Sequence, residues 1–94
     1  MNMQDRFLDY LLKMGKKEFT ASGNPSTALL YVRAVKRVLA AEGLMMATVS
    51  AEQMGVLVRM YDVGGEKASV GAKSHNTVIC ALKWFQEMLR TSHV

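Results

Sequence analysis

SHNTVICALKWFQEML, residues 74–89, opens on polar side chains and continues with apolar ones at helical spacing. At about 100° per residue, Val78, Ala81, Leu82, Phe85, Met88 and Leu89 fall on one arc, with Asn76, Lys83, Glu87 and Arg90 opposite. The spacing predicts a helix over 74–90, with Ser74 or Asn76 as its N-cap. Lys83, set into the apolar run, then points away from the core. Trp84 falls at the border of the two faces, where an indole packs at a core edge with its N–H outward. Base stacking is the alternative for that ring.

The preceding run VGGEKASVGAK, 63–73, holds three glycines and no hydrophobic period, which predicts a loop, with room for a short turn or hairpin-like excursion, and the most mobile part of the chain. Before it, SAEQ at 50–53 matches a capping box and starts a helix to about Tyr61 that buries Met54, Leu57, Val58 and Tyr61. Further back, Asn24 as N-cap and Pro25 at the first helical position open a helix over 25–42, closed by Gly43. Ala28, Tyr31, Val32, Val35, Val38 and Leu39 form its core arc, and Arg33, Lys36 and Arg37 lie opposite. A first helix over 3–14 carries an apolar stripe of Phe7, Leu11 and Met14, widened by Leu8 and Leu12. It ends at Gly15 with the cations Lys16 and Lys17 beside its carbonyl end. MMATVS, 45–50, is the best strand candidate and a weak one. The expectation is an all-α bundle occupying 1–94 as a single domain.

Composition agrees with one globular core. Of the 94 residues, 50% are hydrophobic and 21% charged, too apolar for a disordered chain and too short for two cores. Cys80 is the only cysteine and has no partner for an internal disulfide, which favours a cytoplasmic setting. The amino terminus lacks the charge order of a signal peptide, and no run reaches the roughly 20 apolar residues that span a bilayer. The net charge of +4 favours polyanionic partners.

Catalytic chemistry finds little support. Cys80, His75 and His93 show no metal-ligand spacing, so neither a metal nor a cofactor is expected. His75 stands about 140° around the helix from Cys80, badly placed to act as its base, and reads as a surface residue at a helix start, where it could donate to a phosphate. The glycines of 63–73 do not form a phosphate loop, and flexibility explains them better. Eight methionines read as core filler, or as an adaptable docking surface. The basic residues have more geometry. Arg33, Lys36 and Arg37 form a compact patch with only Glu42, a turn away, to neutralise it. Lys73, Asn76, Thr77 and Lys83 form a second polar set.

The order of segments resembles the amino-terminal core-binding domain of tyrosine recombinases, the phage integrase family. STALLYVRAVKRVL, with Ser26, Thr27, Tyr31, Val35 and Leu39, is similar to that domain's S-T-x-x-x-Y helix. SHNTVICALKWFQEML is similar to its last conserved helix, through Thr77, Leu82, Lys83, Trp84 and Phe85. FLDYLL and VSAEQMGVLVRMY fall where the family has its first and third helices. The resemblance implies a SAM-like bundle of four or five helices that grips duplex DNA through Thr27, Arg33, Lys36, Arg37, Lys73, Asn76, Thr77 and Lys83. It implies no enzymatic activity, because the family's catalytic residues belong to another domain, expected in a longer parent chain. An excised domain and a free-standing relative both fit. The alternative is a helical interaction module, for instance a homodimer burying Met45, Met46, Met60 or Trp84.

Overall fold

A computed structural model describes residues 2–17, 19–24 and 26–91, the side chain of His75 excepted. The described residues form an all-α bundle of five helices: α1 Met3–Lys13, α2 Thr27–Ala41, α3 Ala51–Tyr61, α4 Ala68–Gly71 and α5 Lys73–Thr91. No strand forms among the described residues, and MMATVS is a turn closed by Thr48 and Val49 amides on the Met45 carbonyl.

Local chemistry sets the helix ends. Ser50 Oγ accepts from the Gln53 amide at 3.1 Å while Gln53 Oε1 accepts from the Ser50 amide at 2.9 Å, so α3 has its capping box. At α1, Asn2 Oδ1 accepts from the Asp5 amide at 2.8 Å. The start of α2 differs from expectation: Ser26 is the N-cap, with no side-chain cap bond. Asn24 is used in the preceding turn instead, where its carbonyl accepts from the Thr20 amide at 2.8 Å and its own amide donates to Thr20 Oγ1 at 3.2 Å. The roles expected of Pro25, His93 and the His75 side chain lie outside the described residues.

The core draws on α1, α2, α3 and α5, and α5 runs through its middle, touching each of the other four helices. All six residues of the arc expected for α5 are buried, Ile79 with them. Phe7 of α1 meets Phe85 edge-on, with ring centres 5.0 Å apart. On α1 the stripe is narrower than expected: Phe7 and Leu11 are buried, whereas Leu12 and Met14 are exposed. Leu12 lies about 140° around the helix from Phe7, and Met14 stands at the helix end, where Gly15 with φ +88° turns the chain away.

The glycine-rich segment holds a short helical turn within the expected loop, and differs from the sequence reading in how closely its glycines are packed. It contains α4 and folds back on the end of α3, where the Lys67 amide donates to the Met60 carbonyl at 2.8 Å. Gly71 is buried, and a Cβ there would stand 1.9 Å from the Tyr61 carbonyl oxygen. A Cβ on Gly65 would stand 2.3 Å from the Arg59 and Met60 carbonyl oxygens. These two glycines are required by close backbone approach rather than by flexibility.

Candidate nucleic-acid interface

Arg33, Lys36 and Arg37 are all exposed, on the side of α2 opposite the buried arc of Ala28, Val32, Val35 and Leu39. No carboxylate among the described residues forms an ion pair with any of them. Glu42, the acid expected to offset the patch, is engaged elsewhere. It accepts from the Tyr61 hydroxyl at 2.8 Å and pairs with the Lys67 ammonium, which also sits 5.6 Å from the centre of the Tyr61 ring. The hydrogen bond from Lys67, reinforced by that from Tyr61, holds the Glu42 carboxyl below its ordinary value. The α2 patch therefore keeps its positive charge. Lys36 also rims a groove floored by Leu39, Leu44 and Met46, beside the start of α1.

Thr27 does not join this patch. It is half-buried in the first turn of α2, about 180° around the helix from Lys36.

The second set is differently placed. α5 starts at Lys73, so Ser74 and Asn76 lie inside its first turn rather than ahead of it, with left-handed φ values of 55° and 67°. Thr77 is half-buried, and its hydroxyl donates to the Ser74 carbonyl. Lys73 and Asn76 are exposed. Lys83 points outward as expected, but its ammonium lies 3.0 Å from Asp62 Oδ2 at the end of α3. The Val63 backbone N–H, and then Lys83, hold the Asp62 carboxyl below its usual range. Asn76 and Lys83 line one hollow with Asp62 and Ala72, which shares no residue with the groove at Lys36. Among the described residues the α2 cations have no ion-pair partner, whereas the α5 set is partly neutralised.

Trp84 is half-buried as expected of a core-edge indole, packed at 6.2 Å on Tyr10 and covered by the Lys16 ammonium at 5.2 Å. Cys80 is half-buried beside Tyr31, whose hydroxyl is pushed up by burial and then by the thiol. Among the described residues no group of three or more His, Cys, Asp or Glu is arranged to hold a metal ion, and no helix is long and apolar enough to cross a membrane.

Sequence reasoning placed Arg90 on the polar face of the last helix but gave no role to it, to Arg59 or to Gln86, which line one groove along the α3–α5 seam. Their sequence distance hid them, since only the pairing of the two helices brings them together. No family model matches the chain, and no curated protein or solved structure matches it either.

Proposed function

We propose that the chain is a non-catalytic DNA-binding module of the tyrosine-recombinase core-binding type. The observation that carries this reading is the α2 patch of Arg33, Lys36 and Arg37, exposed and without an acidic partner among the described residues. Cations at that spacing neutralise successive phosphates of a duplex, and each neutralised phosphate releases counterions. Lys73 adds a further exposed cation, and Lys83 would exchange Asp62 for a phosphate. Asn76, Thr77 and Thr27 supply hydrogen bonds to phosphate or base edges. The resemblance in the second and last helices supports the same partner and implies a catalytic domain elsewhere in a parent recombinase acting in the cytoplasm.

Fluorescence anisotropy with a labelled duplex across a salt series tests this. The expected dissociation constant is on the order of 10⁻⁴ to 10⁻⁶ M at physiological salt. With about four cations engaged, the slope of log K against log[salt] is roughly −3.6, and Lys36→Ala or Arg37→Ala reduces its magnitude by about 0.9. Lys17→Glu is the control, since Lys17 is exposed and off the patch, whereas Lys16 lies against Trp84. Equal weakening by Lys17→Glu and Lys36→Glu would reduce the interaction to generic attraction and sink the reading.

One observation favours the rival interaction module. Met45 is 67% exposed beside the groove lined by Met3, Leu39, Leu44 and Met46. A dimer in sedimentation at micromolar concentration, abolished by Met45→Asp, would put that reading first.

A further inference from the structure

The groove between α3 and α5 is built from Ala51, Glu52, Gly55 and Arg59 on one side and Gln86 and Arg90 on the other. Gly55 lies in the interior of α3, where glycine holds a helix less well than alanine does. Its lack of a side chain has a local use. A Cβ at Gly55 would stand 3.1 Å from Gln86 Nε2 and 3.9 Å from Arg59 Nη1. Two donor nitrogens from different helices therefore converge over one bare backbone position.

Arg59 and Arg90 are exposed, and neither forms an ion pair with a carboxylate among the described residues, although Glu52 lines the same groove. Two guanidinium groups thus face one carboxylate, leaving excess positive charge. A single carboxylate ligand would be saturated by one guanidinium fork. A tetrahedral oxyanion has enough acceptor oxygens to engage two guanidiniums and an amide at once.

We propose that this groove is a phosphate-binding site, in which Arg59, Gln86 and Arg90 donate to the oxygens of one phosphate group held in the groove beside the Gln86 amide that packs over Gly55. The site shares no residue with the α2 patch and stands whether or not that patch binds DNA. The phosphate belongs either to a nucleic-acid backbone or to a free phosphorylated molecule, and the chemistry of capture is the same.

The test is an NMR titration of the full chain with inorganic phosphate, against sodium chloride at matched ionic strength. Saturable shifts are expected at Gly55, Arg59, Gln86 and Arg90 with phosphate and not with chloride. Arg59→Ala and Arg90→Ala should each weaken binding about tenfold, as loss of a charge-assisted hydrogen bond does. Glu52→Gln should strengthen it. Gly55→Ala separates binding from folding, because it should preserve or raise Tm while weakening binding by crowding Gln86. Lys36→Ala should leave this titration unchanged, so failure of the α2 reading registers separately. The same arginine variants are then titrated with duplex DNA. Weakened duplex binding assigns the phosphate to a DNA backbone, and unchanged binding assigns it to a free phosphorylated ligand. Arginine variants that titrate like the wild type, or an equal response to chloride, overturn the proposal.

Discussion

Gly71 shows how one missing side chain can fix a turn. Because a Cβ there would fall 1.9 Å from the Tyr61 carbonyl oxygen, Gly71→Ala must push α4 off the end of α3. The expected loss is about 1–3 kcal/mol, measured by urea denaturation. Gly64→Ala is the comparison: it meets nothing within 4 Å, so only its φ of +87° opposes the change, at about 1–2 kcal/mol. Glu42 carries a pH dependence of definite sign. Its carboxyl is held below the ordinary value of about 4.5 in the folded chain, first by the hydrogen bond from Lys67 and then by that from Tyr61. Its contribution is therefore fully present above about pH 4.5 and lost as pH falls through the depressed folded value. Glu42→Gln should lower the denaturation midpoint at pH 7, and the gap to wild type should close on acidification. A gap that stays constant to pH 3 would show that the network does not hold the charged form. The two residues differ in legibility: Glu42 is visibly the lone acid near a basic patch, but its partners arrive from a segment whose glycines signal a loop.

At the scale of the element, α5 was the most legible part of the chain, because a sustained apolar period survives any tertiary context. Its buried arc follows the spacing, and Phe85 lies at its centre against Phe7. Phe85→Ala should cost about 3–5 kcal/mol in thermal or chemical denaturation, since it opens a cavity where neither ring can follow. A near-neutral result would mean that α1 closes onto α5 without the ring. The start of α2 was misread for an opposite reason: capping depends on one or two residues. Asn24 and Ser26 are both competent caps, and Asn24 was already bonded into the turn with Thr20. The segment before α5 was misread because close backbone contact and open flexibility call for the same residue type.

For the molecule as a whole, charge placement separates what one helix can show from what two must build. Arg33, Lys36 and Arg37 were readable together because a single helix aligns them. The neutralisation of Lys83 by Asp62 was not, and neither was the groove shared by Arg59, Gln86 and Arg90, because each needs α3 laid beside α5. The bundle consequently carries cations on more than one side, and the salt series and phosphate titration ask which side an anion prefers. The central place of α5 has a further consequence, for the order of events during synthesis. The helix that touches all the others is also the last of the five to leave the ribosome. Until it emerges, the apolar faces of α1, α2 and α3 lack their shared partner, so the bundle cannot close before α5 has been made.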